Sequence, residues 1–302
     1  MRRAWKAICE MTKRLLWNED GGDWPNRDHS RFVSAAGFQW HVQLMGAGPV
    51  VLLAHGLGAS THSWRRLAPM LARRFTVIGM DLPGHGFTDL PAARRMSMSG
   101  MAEALGDLLR ELDADPAHAV GHSAGASLLV RMCLDERIAP KTLVSLNGAL
   151  LPFGGVGQMF SPLAKLLFGA PFIPKLFARM GEDRRAIVNM LRSTGSAADD
   201  EGVELYARLF GNAGHVEGVL AMMANWDLRA LQRDLPQLKT PLVMVTGGKD
   251  HTVPAEEAFR IRELARGSRV VCLRHLGHLA HEEAPRDVAD LIIKLLDDPS
   301  AL

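Results

Sequence analysis

The sequence predicts an α/β fold: a mostly parallel sheet covered by helices on both faces, with one apolar helical lid inserted late in the chain. Three observations carry that expectation. From Pro49 onward, short β-branched and leucine-rich runs alternate with segments of helical spacing. Between one such run and the helix that follows stands Gly121-His122-Ser123-Ala124-Gly125, a G-x-S-x-G that needs a strand, a sharp turn and a helix in that order. After Leu146 the alternation stops for roughly ninety residues, far beyond an ordinary loop, and resumes at Pro241.

The elements follow in order. Met1 to Trp17 places Trp5, Ile8, Cys9, Thr12, Leu15 and Leu16 on one helical face opposite Arg2, Arg3, Lys6, Lys13 and Arg14, so residues 1–22 read as a basic amphipathic helix. Such a helix either docks on an anionic membrane or packs on its own domain. Charged residues interrupt it throughout, which leaves no apolar core for a secretory leader. A polar, turn-rich stretch covers Asn18–Ser30, and Arg31–Met45 alternates around Gly37 like a hairpin. Pro49–Ala54 and Phe75–Asp81 are short buried strands, with Trp64, Leu67 and Leu71 at helical spacing between them. Met101, Leu105, Leu108, Leu109 and Leu112 form a helix stripe. Ala117–Gly121 is a strand, Ala124–Asp135 a helix and Thr142–Leu146 a strand. Beyond Pro241 come the strand Leu242–Thr246, the helix Glu256–Ala265, the strand Arg269–Leu273 and a last helix with Val288, Leu291, Ile292 and Leu295 on one face. Thr142–Ala164 lacks any charged residue, but Asn147, Pro152 and its glycines make it a poor membrane span, so it reads as a buried strand running into the lid.

Composition removes several function classes. Lys and Arg total 35 against 33 for Asp and Glu, a formal charge of +2, without the concentrated basic excess of a nucleic-acid binder. Apolar residues make up 47% of the chain, enough for a sizeable core. Cys9, Cys133 and Cys272 are odd in number and far apart, which fits reduced thiols in a cytoplasmic protein rather than a disulfide framework. Neither a G-x-x-x-x-G-K-[ST] loop nor a His/Cys/carboxylate cluster with metal-ligand spacing occurs, so no nucleotide site, metal or other cofactor is expected.

The chemistry-bearing residues lie at predicted strand ends. Gly121 and Gly125 give Ser123 the small neighbours that a sharp turn demands, so its hydroxyl can project from the sheet edge. A serine hydroxyl needs a base, and the base an orienting acid. Asp250 ends the Leu242–Thr246 strand through Gly247-Gly248-Lys249, and His278 follows the last strand. Element placement favours this pair over His275, closer to its strand, and over His281, in the turn that starts the helix. After Leu146, where an acid could also stand, the residue is Asn147. An oxyanion needs two N–H donors: Ala124, directly after the nucleophile, and Leu57, in the His55-Gly56-Leu57-Gly58 loop. His62 and Trp64, close to that loop, are expected to line the pocket. Phe153, Phe160, Phe168, Phe172, Phe177 and Phe210, with Met159, Met180, Met190, Met222 and Met223, make the lid apolar. Phe153, Phe160, Met222 and Trp226 are its candidate contacts to a hydrophobic ligand, and Phe160–Pro174 is a second surface open to a membrane.

From about Ser30 to its end the chain resembles the α/β-hydrolase superfamily: His55–Gly58 as H-G-x-G, Asp81–Gly86 as D-x-P-G-x-G, Gly121–Gly125 as G-H-S-x-G, Gly247–Asp250 before Val253-Pro254, and Gly277-His278 before Glu283 and Pro285. That resemblance implies an eight-stranded sheet with a helical cap after the sixth strand: core residues 23–150 and 237–302, cap residues 151–236. More narrowly, Asp23–Arg27, Gly58–Arg65, Asn147-Gly148-Ala149 running into Pro152-Phe153, His215-Val216, Met222–Leu228 and Leu276–Glu283 resemble the magnesium-chelatase accessory family of bacteriochlorophyll synthesis. This implies a role where Mg²⁺ enters protoporphyrin IX, with a porphyrin and magnesium-chelatase subunits as partners and the photosynthetic membrane as a peripheral address. Its alternative is a serine carboxylesterase acting on a hydrophobic ester.

Overall fold

The computed structural model describes residues 14–152 and 173–298. Eight strands form one sheet: β1 (Ser30–Ala35), β2 (Phe38–Met45), β3 (Val50–Ala54), β4 (Thr76–Met80), β5 (His118–His122), β6 (Thr142–Leu146), β7 (Leu242–Gly247) and β8 (Arg269–Leu273). Their order is β1-β2-β4-β3-β5-β6-β7-β8. The β1–β2 hairpin and the β2–β4 pair are antiparallel, and every other pair is parallel. The hairpin closes through Ala36-Gly37, both at positive φ (56° and 87°), the backbone that a two-residue connection between twisted strands requires.

Strand alternation sorts the core into two layers. Leu52, Ala54, Ile78, Met80, Ala119 and Leu143 face a layer completed by helices Met98–Glu111 and Ala124–Leu134. Val51, Leu53, Val77, Val120, Val144 and Val245 face Leu67 and Leu71 on one side and the last helix, Pro285–Asp297, on the other. Strands buried on both faces explain why the sequence reads as continuous apolar runs.

Between β6 and β7 five α-helices are described: α1 (Ile173–Gly181), α2 (Arg184–Ser193), α3 (Asp200–Phe210), α4 (Ala213–Asn225) and α5 (Leu228–Asp234). Asp183, Asp199, Asn212 and Asp227 cap the N-termini of α2 to α5, each accepting a backbone N–H. Arg131 ties α5 to the core through Asp234 at 2.8 Å. Residues 1–13 of the expected N-terminal helix lie outside the described residues. Beyond them Trp17–Asp20 forms a single turn, Leu15 packs with Trp24, Phe87, Leu205 and Leu209, and Arg14 donates to the Thr88 carbonyl at 2.5 Å. No helix among the described residues is long and apolar enough to cross a membrane.

Candidate active site

Strand β5 delivers Ser123 to the sheet edge on an unfavourable backbone, φ 50° and ψ −118°. A side chain larger than hydrogen on either flanking glycine is excluded: a Cβ on Gly121 would sit 2.5 Å from Ala126 Cα, and one on Gly125 would sit 2.1 Å from the Ala54 carbonyl oxygen. The turn is pinned by Ser123 N–H to the Leu146 carbonyl (3.0 Å) and by Ala149 N–H to the Ser123 carbonyl (3.2 Å). Holding a non-glycine residue at positive φ costs about 1–3 kcal/mol, a strain typical of functional turns.

Asp250 and His278 meet at that edge. His278 Nδ1 lies 2.7 Å from Asp250 Oδ2, with the carboxylate fully buried. The same oxygen accepts Asn147 Nδ2 at 2.7 Å, and Oδ1 accepts the N–H groups of Thr252 (2.7 Å) and Val253 (2.9 Å). A carboxylate only accepts, so the His278 proton sits on Nδ1 and leaves the Nε2 lone pair free. Ser123 and His278 line one cavity of about 830 Å³. Among the described residues, no hydrogen bond joins the Ser123 hydroxyl to that ring, a looseness common in unliganded sites. Leu57 and Ala124 line the same cavity, and neither backbone N–H has a partner among the described residues.

The cap covers this edge. Met190, Leu191, Tyr206, Phe210, Met222, Met223 and Trp226 line the cavity from above. Met222 and Trp226, expected as ligand contacts, are among these lining residues, whereas Phe153 and Phe160 lie outside the described residues. His62 and Trp64 require correction. After Ala59 the chain turns into a 3-10 helix, Thr61–Trp64, whose side chains all point inward. His62 is wholly buried, its Nδ1 bonded to Ser60 Oγ at 2.7 Å, and Trp64 packs among the valines and leucines of the second core layer. Neither lines the cavity.

Two features escaped sequence reasoning. Asn147, at the end of β6 with φ 48°, points its amide at Asp250 and so fixes the acid. The second is a buried polar cluster beneath the cap, centred on Glu282. Its Oε1 accepts Ser63 Oγ (2.6 Å) and Tyr206 OH (2.9 Å), and its Oε2 accepts Arg65 Nη1 (2.8 Å). Arg65 also reaches Asp199, the cap of α3, at 2.8 Å. Glu282 sits four residues after His278, so this cluster joins the histidine segment to the cap and to the segment after the Leu57 loop. Burial raises the Glu282 carboxyl above its usual range against the pull of Arg65, and burial with the Glu282 charge holds the Tyr206 phenol well above its own.

Histidines crowd the floor. His122 Nε2 donates to the His278 carbonyl at 2.9 Å, and its ring lies 4.7 Å from that of His278 and 4.6 Å from that of His281. Burial, reinforced by those two neighbours, holds His122 well below its ordinary pKa. His281, bonded to Ser63 Oγ at 2.9 Å, is pushed down to about 3 by burial and by His278 and Arg65, so it stays neutral. The alternative His275 is exposed. Asp81 holds the neighbouring turn: it accepts Thr61 N–H (2.6 Å) and Phe87 N–H (2.9 Å) and pairs with His41 at 2.8 Å.

A family model of the alpha/beta hydrolase fold matches residues 49–285, a range that contains Ser123, Asp250, His278 and Glu282. The chain belongs to the α/β-hydrolase fold family. Within it, a "Magnesium-chelatase 30 kDa subunit" of Rhodobacter capsulatus is 38% identical over 280 residues, covering 91% of this chain and 97% of that protein, which places the chain in that protein's family as well. The 2-hydroxy-6-oxo-2,4-heptadienoate hydrolase of Pseudomonas putida is 24% identical over 88% of this chain and 96% of that one. Among solved structures, a serine hydrolase involved in carbazole degradation matches with TM-score 0.71 at 23% identity (89% of this chain, 98% of that one). An epoxide hydrolase matches with TM-score 0.73 at 22% identity (89% and 98%). These two likenesses establish the fold alone.

Proposed function

We propose that this α/β-hydrolase protein is an accessory factor of magnesium insertion into protoporphyrin IX, built on a serine-hydrolase site that handles a tetrapyrrole ligand. The observation that carries the reading is the near full-length similarity to the Rhodobacter capsulatus chelatase subunit. It is supported by an apolar cavity of tetrapyrrole scale above Ser123. In this reading Mg²⁺ and the porphyrin are cargo, and magnesium-chelatase subunits are the partners.

The site's chemistry is acyl transfer. Ser123 Oγ attacks a carbonyl carbon while its proton passes to His278 Nε2, and Asp250 holds the Nδ1 proton and stabilises the imidazolium. The tetrahedral oxyanion accepts the N–H groups of Leu57 and Ala124, the latter helped by the N-terminal dipole of its helix. As the intermediate collapses, His278 returns the proton to the departing oxygen. Water then enters by the same route and releases the acid. Asn147 and the Glu282 cluster position the acid and the histidine segment.

A carboxylesterase acting on a hydrophobic ester is the second reading, favoured by the strained Ser123 backbone and the aligned His278–Asp250 pair. Magnesium insertion into protoporphyrin IX by chelatase subunits, measured with added wild type, Ser123→Ala or buffer, tests the proposal. Stimulation by wild type supports the accessory role, and the Ser123→Ala result says whether turnover contributes. If wild type changes neither rate nor yield while it hydrolyses model esters, the esterase reading replaces it.

A further inference from the structure

On its cap side the cavity is lined largely by apolar side chains, among them Met190, Met222, Met223 and Trp226. Among the described lining residues Arg229 is the one cation, and no ion pair or hydrogen bond of its guanidinium occurs among the described residues. Asp227, which also lines the cavity, turns its Oδ1 to the backbone N–H of Arg229 at 2.9 Å and caps α5, and it forms no ion pair with the Arg229 guanidinium. Arg131 and Asp234, a 2.8 Å pair, hold the far end of that helix against the core, so the Arg229 backbone has a fixed place over the cavity. A guanidinium presents a planar fork of donors that matches a carboxylate, and against an apolar wall it gains most from an anion that the ligand itself brings.

We infer that Arg229 is the specificity-determining contact for a carboxylate on the cavity's ligand, whose apolar body lies along the methionines and Trp226. The ligand class is therefore an amphipathic acid: a broad apolar skeleton with at least one free carboxylate away from the end that faces Ser123. This rests on the reading of the cavity as a tetrapyrrole site, because propionate side chains give such a skeleton its acids.

The test is quenching of tryptophan fluorescence by protoporphyrin IX and by its dimethyl ester, with full-length wild type, Arg229→Gln and Arg229→Lys. At an exposed rim a charge pair of this kind gives wild type a preference of about 2–5-fold for the free acid. Arg229→Gln should lose that preference and bind the ester as wild type does, and Arg229→Lys should keep part of it. The preference should also shrink at high salt, since the contact lies at an exposed rim. Equal acid-over-ester ratios in wild type and Arg229→Gln overturn the assignment while leaving the tetrapyrrole reading intact. Absence of saturable quenching by either porphyrin with wild type removes that reading, and the Arg229 assignment with it.

Discussion

Replacing Arg65 by Met isolates the buried cluster beneath the cap. In the native protein Arg65 and Glu282 face each other at 2.8 Å with side-chain exposures of 4% and 2%. Methionine keeps the apolar stem of the arginine but removes the charge, leaving the Glu282 carboxylate with two hydroxyls, from Ser63 and Tyr206. Removing one partner of a buried pair costs about 3–5 kcal/mol, because the remaining charge has lost both water and its counterion. The sign of the pH dependence follows from the proton. Burial already raises Glu282, and without Arg65 it rises further, so the folded variant takes up a proton in a range where the unfolded chain has released it. The deficit relative to wild type is therefore largest near pH 8 and shrinks as pH falls. Urea unfolding followed by tryptophan fluorescence at pH 8 and pH 5.5 measures both. A loss under 1 kcal/mol at pH 8, or one that does not change with pH, would refute the argument that this cluster carries an uncompensated charge when Arg65 is gone.

Other expectations follow from the same geometry. Asn147→Ala removes one of four hydrogen bonds to Asp250. Ester turnover should fall by about 10-fold in kcat with KM little changed, and an unchanged kcat would place Asn147 outside the positioning machinery. Gly125→Ala puts a methyl group 2.1 Å from the Ala54 carbonyl oxygen and should cost more than about 3 kcal/mol or prevent folding, readable as loss of soluble protein. His85 and His281 are pushed down to about 3 by burial, against about 6.5 when unfolded. Below pH 6.5 the unfolded chain binds protons that the folded chain refuses, so stability present above 6.5 is lost as pH falls, at about 1.4 kcal/mol per unit for each histidine. Glu282, shifted upward, opposes this only in part, and a urea midpoint unchanged between pH 7.5 and pH 5.5 would contradict it.

Local chemistry explains which features are legible in the amino-acid sequence. The β-strands announce themselves because both faces of β3 to β7 are covered, which demands unbroken apolar runs, and the Ser123 turn because only glycine fits on either side of it. Asp250 and His278 are legible as strand-end residues in the right order. Where sequence reasoning fails, closeness along the chain stands in for closeness in space. His62 and Trp64 follow the Leu57 loop within a few residues, yet a single 3-10 turn carries them into the core. Partners in the buried cluster are separated by 76 positions (Tyr206 and Glu282) and 217 positions (Arg65 and Glu282), and Asn147 stands 103 before Asp250. No periodicity spans such distances. Only the packing of cap on core reveals that a glutamate near His278 serves as an anchor.

The central claim is that one cavity holds both a reactive Ser123 and a porphyrin. Intact-mass measurement of wild type and Ser123→Ala after exposure to a fluorophosphonate, with and without excess protoporphyrin IX, tests it most directly. The account predicts one adduct per wild-type chain, located at Ser123, absent from Ser123→Ala and suppressed by the porphyrin. An adduct that forms equally in the variant, or one that saturating porphyrin leaves untouched, would contradict it.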